Sequence, residues 1–422
     1  MASAGSATAL AERREEAQRR AAELELPRFK GRPGWEFTDL TGLELERYRP
    51  AADGAGATAA DGAGATAAGG AGAAAALGAG AALFELPAQP ELPEGVIVST
   101  IAQAAEQHPE LLERHLGSVL SASEDIFLAR NEAGPQHGAF VYVPRGVALE
   151  QPISLLAVQS EPGTELDRRT LIVLEEGAQA EVWEQYLSAS EELDGVFNLA
   201  SELVVGEGAR LRYVCGQALS ERTWIFGAQR AEVARDGYLD WVAFGFGSRN
   251  GRVRMETKLA GEGAEARVTG AYASRGRQHI DFDTTQEHAA PHTTSDLAFR
   301  GVLAARSTAV WKGNIIVDPG AQKTDAFQES RNLLISKRAH ADAIPGLEIQ
   351  ANDVRCTHAA AVAQVDPEQL FYLRSRGLGE EVAKRLVIEG FLAALVERFE
   401  AGPVRERLGQ ALERRLALIL GE

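Results

Sequence analysis

From about residue 125 onward, apolar and polar residues alternate with a period of two in a series of short segments. EEGAQAEVWEQY, GEGARLRYVCGQ, RDGYLDWVAFGF and GEGAEARVTGAY share one pattern: an acidic or polar residue, a glycine, then an alternating run. Leu211, Tyr213 and Cys215 fall on one side of their segment, and Arg210 and Arg212 on the other. That spacing predicts a strand with one buried and one wet face. The glycines Gly177, Gly208, Gly237 and Gly263 are separated by 31, 29 and 26 residues. A strand–turn unit recurring at that size predicts a solenoid. No long helical period interrupts the region, which argues against a βαβ sheet. A β-helix or a stacked β-sandwich over 125–365 fits the pattern, each coil covering the edges of the next.

The period changes to 3.6 after Asp366. In DPEQL an Asp stands at the N-cap, a Pro at the first helical position and a Gln at the third. Gly377 supplies the stop. LGEEVAKRLVIEGFLAALVERF places Val382, Leu386, Val387, Phe391, Leu395 and Phe399 on one face. Gly402-Pro403 breaks that helix, and Leu408, Leu412, Leu416 and Ile419 define another. A C-terminal helical domain over 366–422 is therefore expected, part of it capping the solenoid end; the pattern favours self-packing of the three helices for the remaining apolar face, with a partner dock as the alternative. Toward the N-terminus, a charged helix is expected over 8–24 within a segment 1–49, with Trp35 and Phe37 as anchors. AADGAGAT occurs twice, at 51–58 and 59–66, inside an Ala/Gly tract over 50–82. Glycines at nearly every third position disfavour helix by ~1 kcal/mol each, so this tract reads as a linker. Residues 83–124 complete the N-terminal region, with helix over 97–121.

Composition narrows the function classes. The chain has 422 residues, 43 basic against 60 acidic, and a formal charge of −17. Such a surface repels nucleic-acid phosphates and anionic lipid, which leaves another protein as the large partner. Two cysteines cannot build a disulfide framework, and a reducing compartment follows. A cytoplasmic location is expected, because the first twenty residues form a charged run and no stretch is long and apolar enough to span a bilayer.

Three groups of residues could carry chemistry. His279, Asp281, Asp283, His288 and His292 crowd one stretch, and imidazoles with carboxylates can bind Zn²⁺ or Fe²⁺. Pro291 prevents His288 and His292 from sharing a helix. A polar ladder between stacked coils is the reading these residues favour; a stand-alone β-helix metalloenzyme using His279, His288 and His292 is the alternative. Lys312, Lys323, Asp325, Gln328, Glu329 and Arg331 form a dense mixed-charge set that fits acid–base work or a salt-bridged edge equally well. Finally, Cys356 and His358 point to one face of a strand. Cys-x-His is no structural zinc pattern, and a free cysteine is commonly buried and inert. His358 stands at the end of the strand region, where a subunit interface could form.

AVWKGNIIVDPGAQKTDAFQESRNLLIS, HADAIPGLEIQANDVRCTHAAAVAQVD and LFYLRSRGLGEEVAKRLVIEGF together resemble the SufB/SufD family of iron–sulfur cluster assembly proteins. The likeness runs almost continuously over 299–399; GWEFTDL and QHIDFDTTQEHAAPHTTSDL also fit, whereas 50–82 matches nothing. The resemblance implies a right-handed parallel β-helix between helical terminal regions. It also implies pairing with SufB and docking of the ATPase SufC; homodimer and heterocomplex both stay open for the chain in isolation. In the B-type branch a cysteine precedes the PGLEI-like strand and a glutamate follows the later histidine. The corresponding positions here are Ala339 and Ala359, which have no lone pair to offer. D-type sequences often carry glycine at the latter. The histidine implicated in cluster formation in the D-type branch is present as His358. The resemblance thus implies a D-type, non-catalytic scaffold that binds no stable cofactor alone and shares a nascent cluster with SufB. His358 would be its contribution, and Cys356 a second candidate. The SufC dock would lie on Leu386, Phe391, Leu395 and Phe399. No G-x-x-x-x-G-K-[ST] loop occurs, so ATP hydrolysis falls to SufC.

Overall fold

The computed structural model describes residues 2–28, 34–51, 82–88, 90–134 and 137–421. The expected linker lies outside them, except for its ends. At its first end, Pro50 closes a short strand β1 (Arg49–Pro50) on the solenoid, and the Ala51 amide donates to the Glu165 carbonyl at 2.8 Å.

The chain winds into a parallel β-solenoid of two sheets. After β2 (Ile97–Thr100), the first sheet stacks β3 (His137–Val143), β5 (Thr164–Leu174), β7 (Gly195–Val205) and β9 (Trp224–Val233). It continues with β11 (Asn250–Leu259), β13 (His279–His288), β15 (Thr308–Val317) and β17 (His340–Ile349). The second sheet has eight strands: β4 (Ile153–Gln159), β6 (Gln179–Ser188), β8 (Arg210–Ala218), β10 (Tyr238–Gly245), β12 (Glu265–Ser274), β14 (Thr294–Leu303), β16 (Asp325–Leu334) and β18 (Arg355–Gln364). Each coil contributes one strand to each sheet, and every rung of both stacks is parallel apart from the antiparallel β2–β3 pair. Side chains that face between the sheets, among them Leu155, Val182, Tyr213, Trp241 and Trp311, form one continuous core. Alternation is clear where an outer face is open, as in β13 and β15. It vanishes in β4 and β5, which are buried on both faces because other elements cover them.

The corner between the sheets explains the glycine recurrence. Gly146, Gly177, Gly208, Asp236, Gly263, His292 and Lys323 all have positive φ. Each donates its amide to a carbonyl of the next coil, as in Gly177 to Glu207 at 2.8 Å and His292 to Gln322 at 2.9 Å. The ladder is thus longer than the glycine pattern. Its third expected member is Asp236, an aspartate that tolerates the left-handed region, and not Gly237.

The terminal regions differ from expectation in instructive ways. Helix α1 (Ala2–Glu23) is present. The helix expected over 97–121 is instead β2 followed by α2 (Ile101–Gln107) and α3 (Pro109–His115). Thr100 and Gln103 form a reciprocal capping box that starts α2, and Pro109 opens α3. A further helix, α4 (Ile126–Ala133), occupies residues assigned above to the strand region. Asp125 caps it, and its run of buried apolar residues mimics a strand in sequence. Trp35 is an anchor, stacked on Phe127 at 5.5 Å, but Phe37 is 37% exposed. Thr38, fully buried and bonded to Asp281, takes the second anchoring role.

At the other end lie α5 (Pro367–Ser375), α6 (Glu380–Val396) and α7 (Pro403–Leu420). Helices α6 and α7 do not cap the solenoid. Ile388, Leu392, Leu395, Phe399, Leu408 and Leu412 cluster with residues on the outer face of the second sheet, such as Val242, Ala271 and Val302. The helices lie along the flank, and the last coil stays bare.

Candidate functional site

Strands β17 and β18 end their sheets. In register with β15 and β16, they carry Ala341, Ala343, Pro345, Leu347 and Ile349 on one interior-facing edge, and Cys356, His358, Ala360 and Val362 on the other. One coil inward the same columns hold Ile315, Val317, Gln328 and Ser330, all at 0% exposure. At the last coil Leu347, Ile349 and Val362 are 39%, 42% and 44% exposed. The side chains are core-like in type and direction, but no further coil among the described residues covers them. His358 sits exposed in the middle of this open end, directly above Gln328.

Cys356 packs beside Ile315, Ala321 and Ala326. Burial, with Asp325 nearby adding to it, pushes its thiol above the ordinary value. It is therefore a protonated, half-buried thiol and not an activated thiolate. Cys215 is deeper still, with its thiol pushed up to about 12 by burial. Ala339 is buried and Ala359 half-buried beside Glu329.

The histidine-rich stretch does not form a metal centre. His279 and His288 occupy opposite ends of β13, about 30 Å apart at the strand rise. His279 Nδ1 bonds Thr308 Oγ1 at 2.8 Å on the next rung. His288 has both nitrogens engaged, by Thr293 Oγ1 at 2.8 Å and Ser295 Oγ at 2.9 Å. Burial pushes each ring down to about 4. His292 holds a left-handed corner of the coil. Asp281 and Asp283 do share the outer face with His279, where Arg252 pairs with both and Lys312 lies 3.9 Å from Asp283. Thr38 bonds Asp281, and Trp35 lies over the Arg252 guanidinium. Among the described residues no cluster of three or more His, Cys, Asp or Glu side chains could hold a metal. The polar-ladder reading accounts for these contacts, and the stand-alone metalloenzyme has no site among them.

The mixed-charge set is likewise dispersed. Lys323 pairs with Asp353 at 2.5 Å, Asp325 with Arg355 at 3.5 Å, and Glu329 with Arg300 at 2.8 Å and Arg331 at 3.2 Å. Most of these salt bridges tie one coil to the next. Gln328 belongs to the interior instead.

The helical residues separate by burial. Leu395 and Phe399 are 2% and 4% exposed and hold α6 to the sheet, so in this structure they are packing residues and offer no docking surface. Phe391 is half-buried beneath the Arg300 guanidinium, 5.6 Å from its ring centre. Leu386 is exposed, as are Val382, Phe371 and Tyr372. Phe371 and Tyr372 do not stand out in the sequence pattern. A signal for them exists even so: α5 is too short to bury a full face, and among its described residues none is buried.

Taken together, the chain is a parallel β-solenoid with an exposed last coil that carries His358 and a helical flank with exposed aromatics. A family profile described as the SufBD core domain of SUF system FeS cluster assembly matches residues 157–391, and one for the SufBD N-terminal region matches 82–155. The chain belongs to the SufBD family, whose work is iron–sulfur cluster assembly in the SUF system. It is 33% identical to the iron–sulfur cluster assembly protein SufD of Bacillus subtilis over 76% of this chain and 74% of that one. It is 30% identical to an iron–sulfur cluster assembly SufBD family protein of Mycobacterium leprae over 67% of this chain and 73% of the other. With a SufBD family protein of Synechocystis it shares 26% identity over 78% of this chain and 74% of that one. No helix among the described residues is long and apolar enough to cross a membrane.

Proposed function

We propose that this chain is the D-type, non-catalytic half of a SUF scaffold. It pairs through its open solenoid end with a B-type partner, SufB, and it docks the ATPase SufC on its helical flank. The nascent iron–sulfur cluster is cargo at the paired end, not a resident cofactor. His358 lends an imidazole there, while the thiolates come from the partner. The single observation that carries this reading is the bare last coil: exposed Leu347, Ile349 and Val362 around an exposed His358. Two open edge strands also present unpaired backbone groups, which a second solenoid can cover. The cysteines support the division of labour, since one is deeply buried and the other protonated. Ala339 and Ala359, where the B-type branch has a cysteine and a glutamate, weigh against a B-type role for this chain.

The test is His358→Ala in cells that depend on this chain for cluster maturation. Maturation falls on the order of tenfold or more, as for loss of a ligand-shell group, while the variant still co-purifies with SufB and SufC. Undiminished maturation removes His358 from the mechanism.

A further inference from the structure

We infer that the outer face of the second sheet carries a built peptide socket, that Leu83-Phe84 of the same chain occupies it, and that this occupancy clasps α7 in its seat.

The socket is one column of in-register residues: Gln185 on β6, Gly216 on β8 and Phe244 on β10. Gln185 is buried, and its side-chain amide grips the backbone of Phe84 as a neighbouring strand would. Its Oε1 accepts from the Leu83 and Phe84 amides at 3.0 and 3.3 Å, and its Nε2 donates to the Phe84 carbonyl at 3.2 Å. Gly216 supplies the room. Its φ is not positive, so the backbone does not demand a glycine. A Cβ there would collide with Leu83 Cδ2 and come within 2.9 Å of the Phe84 ring. Phe244 forms a wall, its ring centre 6.2 Å from that of Phe84, and Trp183 meets Phe84 edge-on at 5.2 Å. Leu83 and Phe84 are accordingly 5% and 1% exposed. A buried polar clamp, a missing side chain where the apolar side chains sit, and an aromatic wall together make a binding site for an apolar dipeptide.

Helix α7 closes over the occupied socket. Arg414 donates to the Leu83 carbonyl at 2.8 Å, and the Arg407 guanidinium lies 5.6 Å from the centre of the Trp183 ring. Arg415 lies 6.0 Å from the centre of Phe246, which stacks on Phe244. Trp183, Phe84, Phe244 and Phe246 thus form one aromatic ledge beneath three arginines of α7. Guanidinium groups are drawn to such ring faces, more strongly where water is excluded. The ledge is continuous only with Phe84 in place, and Phe84 comes from a segment 331 positions before the Arg414 that ties it down, counted from Leu83.

The clasp stands apart from the partners proposed above, and its test involves none of them. Hydrogen–deuterium exchange is followed by mass spectrometry on the full chain. Phe84→Ala removes the occupant, and Gly216→Val fills the socket with a side chain that suits a strand. In both variants, peptides covering 83–88 and α7 exchange about tenfold faster or more, while those covering β11 and β13 keep their wild-type protection. Equal acceleration throughout the solenoid would mean that Phe84 only adds to global stability, and it overturns the inference. Unchanged protection of α7 in Phe84→Ala overturns it as well. Should Gly216→Val fail to fold, Gly216→Ala, which adds only the obstructing Cβ, takes its place with the same expectation. Gln185→Leu keeps the bulk and removes the clamp, so 83–88 loosens there too; unchanged exchange of that segment overturns the reading of the column as a built site.

Discussion

His288 shows how completely a coil can absorb a residue that looks chemical. Its ring is buried, both nitrogens are bonded to hydroxyls, and burial holds it near 4 where an ordinary histidine titrates at 6.5. His279 is depressed in the same way. A depressed folded value means the stability is fully present above 6.5 and is lost as pH falls toward 4. At about 1.4 kcal/mol per pH unit, each ring contributes on the order of 3 kcal/mol over that window. Asp281 runs the other way. Burial raises it from 3.8 to about 6, so it loses stability as pH rises through 6 and regains it on acidification. Asp167, raised by burial as well, acts in the same sense as Asp281, so the acid-sensitive part of the stability between pH 6.5 and 4 is what the two histidines contribute. In His288→Gln, which keeps hydrogen-bonding capacity without a titration, urea unfolding at pH 7 and pH 4.5 shows a smaller difference than in the wild type. Equal differences would exclude His288 as a source of the acid sensitivity.

At the scale of elements, the helical flank divides one amphipathic helix into two jobs. Leu392 and Leu395 face the second sheet, while Val382 and Leu386 face outward. Truncating a buried leucine leaves a cavity that costs about 2–5 kcal/mol, whereas truncating an exposed one leaves stability nearly unchanged. Leu395→Ala is expected to lower the unfolding midpoint clearly. Phe371→Ala with Tyr372→Ala leaves the midpoint within experimental error but weakens SufC capture by about tenfold or more, as for aromatic hot spots. Titration of immobilised chain with purified SufC reads that loss; unchanged affinity would place the dock elsewhere. The sequence showed α6 clearly, because a stripe of period 3.6 sustained over 17 residues is too long and too regular for a strand. It could not say which half of the stripe meets the sheet. That depends on the angle at which the helix crosses the strands, and no local pattern encodes it.

For the molecule as a whole, the open end is a solenoid interrupted. Interior-type side chains at β17 and β18 are exposed because the coil that would cover them belongs to another chain in the proposed assembly. A charge placed there should poison pairing without harming the fold, since the site is already solvated. Val362→Lys is expected to retain the wild-type unfolding midpoint and to lose SufB on size-exclusion chromatography. Retained SufB would mean that pairing uses a different surface.

By itself, the sequence determined the solenoid and its approximate repeat, and the helical termini. These are local matters: period-two alternation, turn residues at coil spacing and caps at helix ends act within a few residues of one another. It did not determine α4, whose buried Ile126, Phe127, Leu128 and Ala129 read as strand, nor the aspartate, histidine and lysine that continue the corner ladder. Only the tertiary structure decided that the C-terminal helices lie along the flank and leave the end bare, and that the histidine-rich stretch is shared among rungs. Those facts depend on which residues lie one coil apart. Coil length varies along this chain, so only the folded register brings such partners together.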